Sequence, residues 1–354
     1  MANATKSPGE RFPVRPEWLD RRREDILEPD LPIIDTHHHM REGAGQRYLF
    51  DELLADTRSG HNIVATIFMQ SGSKTRSMYR ADGNPEFAPV GETEFANGIA
   101  AMSASGAYGP ARLCAGIIGA ADMRLGARLR PVLEAHIRAG GDRFRGIRDS
   151  MTWDAWEELC PASEQHRKTV LGSPAMREAL ACFAPLGLSF EAWVFYPQMN
   201  DMIAVMRDFP DTQFILNHLG GPLHIGPYAN DRAQRFAEWR TAIRAAAQLP
   251  NVICKLGAIG MHYAGFNFHK NPEPPSSQML CDAWRPYIET CIEAFGPGRC
   301  MAESNFPVDK AVCSYAILWN AFKRMTSSAS ASEKAEIFSG TARRVYRLAG
   351  VKSA

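Results

Sequence analysis

The sequence predicts a (β/α)8 barrel, a TIM barrel of the α/β class. Three observations lead there. Eight short apolar runs recur along the chain, most of them separated by helical patterns. The runs are continuously apolar, which suits parallel strands covered on both faces. The histidines and other reactive groups sit at the C-terminal ends of those runs, where barrels keep their chemistry. An open doubly wound sheet is the competing arrangement, and a count of eight favours closure.

Taken in order, residues 1–30 form a charged, proline-containing leader expected to pack on the outside of the barrel, which spans residues 31–354. The expected strands are Ile33–His37, Ile63–Gln70, Leu113–Gly119, Phe144–Arg148, Leu188–Phe195, Phe214–His218, Val252–Gly257 and Cys300–Asn305. Among the helices, Ser173 and Pro174 supply an N-cap and a first-turn proline. Met199–Asp208, Arg232–Gln248, Gln278–Phe295 and Val312–Met325 follow. A last helix opens with the capping box Ser330–Glu333 and runs on to Leu348, with Gly340 placed to bend it. Two connections are long, from Ser71 to about Arg112 and from Met261 to Ser277. Both follow strands, so both belong to the mouth of the barrel, where long loops serve as lids or binding loops.

Composition narrows the function. A net charge of +1 in 354 residues gives no field suited to nucleic acid or an anionic membrane. The eight cysteines form no C-x-x-C pattern, so neither a disulfide framework nor a thiolate zinc site is expected. The N-terminus lacks an apolar signal region and no later run is long enough to cross a bilayer, which points to a soluble cytoplasmic protein. The expected partner is a small-molecule substrate. Dimers are common among such barrels, so a homodimer is one assembly open to the chain, although no interface can be read from the sequence.

The candidate chemistry begins at Asp35-Thr36-His37-His38-His39. Strand alternation places Asp35, His37 and His39 on one face and His38 on the other. Two imidazoles at this spacing bind one metal or orient one carbonyl. A run of solvated histidines is the bland alternative, and it fits poorly directly behind an apolar strand. His218 ends the sixth run, followed by Gly220 and Gly221, which allow a sharp turn. Arg148 ends the fourth, placed either to clamp a substrate carboxylate or to pair with Asp149. On the eighth run Glu303 and Asn305 lie two apart, with Glu303 one step deeper. Tyr196 and Gln198 after the fifth run, and Tyr79 and Arg80 in the first long loop, are candidate substrate contacts.

IIDTHHHM, FRGIRDS, GLSFEAWVFYPQM, FILNHLGGP, NVICKLGAIG, AESNFP and GTARRVYRL together resemble the amidohydrolase-related family of the amidohydrolase superfamily. The chain looks most like the lactonase-type branch, which includes 2-pyrone-4,6-dicarboxylate lactonase and sugar-lactone hydrolases. The resemblance implies a distorted TIM barrel, active-site roles for His37, His39 and His218, and substrate contact by Arg148. The family's last strand usually reads Ser-Asp-Trp-Pro, with the Asp as metal ligand or general base. Here Ser304-Asn305-Phe306-Pro307 stands instead, and an amide takes no proton at neutral pH. Metal-dependent relatives also tend to carry a histidine after the fifth strand, where this chain has Tyr196-Pro197-Gln198. One divalent metal, zinc or manganese, held by His37, His39 and His218 and a metal-independent site both stay open. So does the base, among Glu303, Asp309 and a histidine. The leading expectation is a hydrolase that opens a lactone or related ester-like bond in a small carboxylated cyclic or aromatic-derived compound. Non-oxidative decarboxylation of an aromatic or unsaturated acid and a non-catalytic ligand-binding barrel are the rivals.

Overall fold

The eight apolar runs become the staves of one barrel. A computed structural model describes residues 12–43, 46–71, 78–161, 164–348 and 350–351. The barrel strands are β1 (Ile33–His38), β2 (Ile63–Met69), β3 (Arg112–Ala120), β4 (Phe144–Ser150), β5 (Ser189–Trp193), β6 (Phe214–Leu216), β7 (Val252–Leu256) and β8 (Cys300–Ala302). They pair in parallel and in sequence order. The seam between β8 and β1 closes just beyond β8, where His37 O accepts from Asn305 N at 2.8 Å and His39 N donates to Phe306 O at 2.7 Å. A main helix follows each strand: α1 (Phe50–Thr57), α2 (Val90–Ala104), α3 (Leu129–Gly140), α4 (Pro174–Leu180), α5 (Met199–Asp208), α6 (Arg232–Ala246), α7 (Ser277–Phe295) and α8 (Tyr315–Met325).

Continuous apolar strands serve two cores, because alternate residues face opposite sides. Outward residues such as Phe68, Phe190 and Val252 pack beneath Leu133, Met202, Trp239, Trp284 and Trp319 of the helices. Inward residues Ile34, Ile67, Ile118, Ile215, Ile253 and Met301 fill the lower barrel, and Tyr346, Leu348 and Val351 plug it from below. Burial at roughly 25 cal/mol per Å² makes these two layers the main source of stability.

Local sequence sets the helix starts. The Ser173 side chain accepts from Met176 N at 3.2 Å, and Ser330 and Glu333 form the expected box. Helix α8 begins at Tyr315, three residues after the expected start, because Ser314 caps it and Asp309–Ala311 form a separate turn. The expected bend at Gly340 is a π-helical turn over Glu336–Gly340. All eight cysteines are buried and free. Among the described residues no helix is long and apolar enough to cross a membrane. Residues 12–24 of the leader run along the loop between β7 and α7, residues 25–28 bond to α8, and residues 72–77 of the loop after β2 fall outside the described residues.

Candidate active site

The site is built on a fault in β1. Asp35 pairs with Thr66 and His38 with Phe68, so three residues on β1 oppose two on β2. This bulge reverses the alternation. Asp35 therefore does not share a face with His37 and His39 as expected. It turns to the seam, accepting from Ser304 N (2.8 Å), Ser304 Oγ (2.6 Å) and Tyr315 Oη (2.9 Å). His38 faces away, bonded to Thr66 Oγ1 at 2.9 Å.

His37 and His39 meet inside, Nε2 to Nε2 at 3.2 Å. His39 Nδ1 lies 3.1 Å from Met69 O and 3.0 Å from Gln70 O, acceptors that assign its proton to Nδ1. His37 Nδ1 lies 2.8 Å from Glu303 Oε2, and His218 Nδ1 lies 2.6 Å from Glu303 Oε1. The carboxylate thus bonds His218 and stands beside His37, while His37 Nε2 takes a bond from Arg148 and His218 Nε2 is left for other work. Burial, reinforced by the Lys255 and Arg148 charges, holds His37 and His218 well below the usual histidine range, so both are neutral. Burial pushes Glu303 up to about 7, an effect that Lys255 and Arg148 partly offset.

His218 lies beyond the end of β6, not within it as expected. Its φ of 56° and the 55° of Leu219 put two non-glycine residues in the left-handed region. Such strain gathers where a side chain must be aimed. Gly221 completes the turn with φ 60°, where a Cβ would stand 2.7 Å from Val194 O. Asn305 also has positive φ, 55°, past the end of β8. It lines the cavity, and its Nδ2 donates to Asp309 Oδ1 at 3.0 Å. Asp309 takes a second bond from Gly260 N at 3.1 Å, and burial pushes its carboxyl up to about 7. The acid near the last strand is thus held behind the amide, out of the cavity wall.

Arg148 does not pair with Asp149, whose Oδ2 accepts from Met123 N at 3.2 Å. Its Nη1 donates to His37 Nε2 (3.1 Å) and its Nη2 to Gln70 O (2.9 Å). With His39, His218, Trp193 and Tyr263 it lines a cavity of about 700 Å³ at the mouth of the barrel. Tyr79 joins that wall; three other expected substrate contacts do not. Tyr196 sits in a 3-10 turn that directs its hydroxyl to Glu238 Oε2 at 2.9 Å. Gln198 in the same turn braces Trp153 N and Met151 O. Arg80 is exposed and pairs with Glu94.

Sequence reasoning passed over the charges beneath the histidines. Lys255 is fully buried, with Nζ 3.0 Å from Glu191 Oε2. Glu191 also accepts from Asn217 Nδ2 and from Tyr346 Oη of the C-terminal plug. The signal was present as a lysine inside VICKL and a glutamate inside SFEAW, charges in strands otherwise apolar enough to be buried.

The geometry fits a divalent metal ion. The Nε2 atoms of His37 and His39 stand 3.2 Å apart, and an ion bound between them would displace Arg148 Nη1, 3.1 Å from His37 Nε2. Two nitrogens bound at about 2.0–2.1 Å with a tetrahedral angle lie about 3.3 Å apart. Ligand atoms of His37, His218 and Glu303 also lie within 4.8 Å of one another. Glu303 sits at hydrogen-bond distance on the far edges of both rings, the place of a carboxylate that orients ligands.

The family model described as Amidohydrolase matches residues 34–348. The chain belongs to that family. It is an enzyme of the hydrolase-like kind. The protein y4mH of Sinorhizobium fredii is 31% identical over 345 residues, covering 90% of this chain and 99% of that one. An L-fucono-1,5-lactonase of Burkholderia multivorans is 30% identical over 164 residues, covering 45% of this chain and 51% of that one. Among solved structures, an amidohydrolase from Burkholderia multivorans with bound zinc superposes with a TM-score of 0.67 at 23% identity. It covers 89% of this chain and 99% of that one. That likeness bears on the fold, and the amidohydrolase family has the barrel the sequence predicts.

Proposed function

We propose that this protein hydrolyses a lactone or related ester-like C–O bond in a small carboxylated cyclic compound. The observation that carries the reading is Glu303, whose two oxygens hold Nδ1 of His37 and of His218 at 2.8 and 2.6 Å beneath the cavity. The partial match to lactonases over the region they share supports it.

In this reading His218, in the cavity wall, takes the proton of the attacking water on Nε2. Glu303 behind it stabilises the imidazolium that forms, a carboxylate–imidazole arrangement that does without the missing aspartate at Asn305. Arg148 offers its guanidinium to the carbonyl oxygen, where negative charge develops, or to a substrate carboxylate. The ring C–O bond breaks and the leaving alkoxide recovers the proton from His218, giving a hydroxy acid. His37 and His39 would hold a zinc or manganese ion through Nε2, and such an ion supplies Lewis-acid polarisation of a carbonyl. Trp193 and Tyr263 form the part of the wall that excludes water from one side of the substrate.

The test is a panel of sugar lactones and carboxylated pyrones followed by acid release in a pH-stat, with metal content measured on the same preparation. Turnover that falls by on the order of 10³-fold in His218→Ala is expected. Folded protein inert on every lactone overturns the reading, and release of carbon dioxide from hydroxybenzoates would replace it with decarboxylation.

A further inference from the structure

The family match begins at residue 34, yet Phe12 stands in the cavity wall. Its ring stacks on His269 with centroids 3.4 Å apart and an interplanar angle of 18°. It meets His262 edge-on at 5.5 Å, and His262 lines the cavity as well. A row of anchors brings Phe12 there. Trp18, 6% exposed, donates Nε1 to Pro272 O at 2.9 Å and Asn271 O at 3.2 Å. The Arg15 guanidinium lies 4.1 Å over the Trp18 ring and donates to His269 O. Arg22 Nε reaches Pro274 O at 3.2 Å, and Glu24 accepts from Ser277 N at 2.8 Å. Further along, Lys323 Nζ holds Leu27 O and Glu28 O at 2.7 and 2.8 Å. These bonds end mostly on main-chain atoms of one loop, between β7 and α7. Leader and loop therefore form a single wall.

We infer that this wall sets substrate specificity: Phe12 and His262 bind the part of the substrate remote from the reacting carbonyl, and that part is a flat apolar ring. The inference rests on the hydrolytic reading of the site. The floor of the cavity, with His39, His218 and Arg148, is polar and addresses the reacting group. On the β3 and β4 side the guanidinium groups of Arg124 and Arg167 are neutralised by Asp122 and Glu164. The leader side offers ring faces and edges instead, from Phe12, His262 and Tyr263. Burial lowers the pKa of His262 and of His269, the latter to about 4, so both imidazoles are uncharged at neutral pH. Uncharged stacked rings favour a planar ring over a hydrated polyol, because stacking adds to apolar burial and a polyol sheds more water on entry.

The experiment compares a phenyl-substituted lactone with its methyl-substituted counterpart on the full chain. The variants are Phe12→Ala, Phe12→Tyr and Arg21→Ala, the last a leader residue whose partner is the exposed Glu273. Phe12→Ala is expected to lower the phenyl-to-methyl ratio of kcat/KM about tenfold, mostly through KM. Phe12→Tyr restores the ratio, and Arg21→Ala leaves it unchanged. Equal losses on both lactones, or no loss, overturn the inference. If the wild type hydrolyses neither of these two lactones, the lactone panel decides the hydrolytic reading and calorimetric binding of the phenyl lactone decides the wall. Tenfold weaker binding in Phe12→Ala supports it; equal affinity, or none in either protein, overturns it.

Discussion

The lower and upper halves of the barrel interior share their strands and hold together by opposite means. On β7, Ile253 belongs to the lower layer and Lys255, two residues on, to the upper; the same step leads from Met301 of β8 to Glu303 just past its end. Below, Ile34, Ile67, Ile118 and Ile215 belong to one apolar cluster. Above, Glu191, Lys255 and Glu303 are fully buried, with Arg148 8% exposed beside them. An apolar layer gains roughly in proportion to the area buried and loses gradually when trimmed. A charged layer is stable only while its partners are complete. The two layers therefore divide the tasks: the lower one holds the barrel, and the upper one holds the histidines in one tautomer and one direction.

The sharpest break is expected at Glu303. Glu303→Gln removes the negative charge that faces Nδ1 of His218 and of His37. Steady-state assays should show kcat/KM falling by on the order of 10³–10⁴-fold, while calorimetry shows a folded protein. A loss below tenfold would mean that His37 and His218 are oriented without the carboxylate.

The next contrast pits the layers against each other on the same strand. Lys255→Met strands the Glu191 carboxylate and is expected to cost about 3–5 kcal/mol of stability in urea unfolding, together with activity. Ile253→Ala is expected to cost about 2–5 kcal/mol and to leave the folded enzyme active. Adding Glu191→Leu to Lys255→Met should recover stability and not activity. A single Lys255→Met as stable as the parent would dissolve the distinction between the layers.

The smallest effect is a pH dependence behind the upper layer. Burial pushes Glu92 up to about 7, although Ser71 N and Arg148 oppose the shift. Its folded-state value is raised, so its contribution to stability is complete below about pH 4.5 and is lost as pH rises through about 7. The size is at most about 3 kcal/mol. Glu92→Gln keeps an acceptor for Ser71 N, now 2.7 Å from Oε1, and removes the titration. The melting temperature of the variant relative to the parent should rise by a few degrees between pH 5 and pH 8. A constant difference would show that Glu92 does not titrate in that range.

The parts of the site that were legible in the sequence are those that strand position alone decides. His37, His39 and Arg148 end or follow apolar runs, and all three reach the mouth of the barrel. What failed depended on turns. Tyr196 and Gln198 follow β5, but the 3-10 turn they occupy aims them at α6 and at Met151. β6 and β8 were drawn too long because His218 and Asn305 leave the strand in left-handed backbone, a conformation that local propensity disfavours and tertiary packing imposes. Glu191 and Lys255 were visible as charges, but nothing nearby in the chain names the partner that makes burial tolerable.

The order of apolar runs, helical patterns, caps and strand-end histidines follows from the chain alone, because periodicity and propensity act over a few residues. The meeting of Glu303 with His218, 85 residues away, and with His37 does not. It depends on closure of the β8–β1 seam and on one extra residue in β1, and both arise from pairing between strands distant in sequence. Hydrogen bonds form or fail over a few tenths of an ångström, a precision that only the assembled barrel supplies.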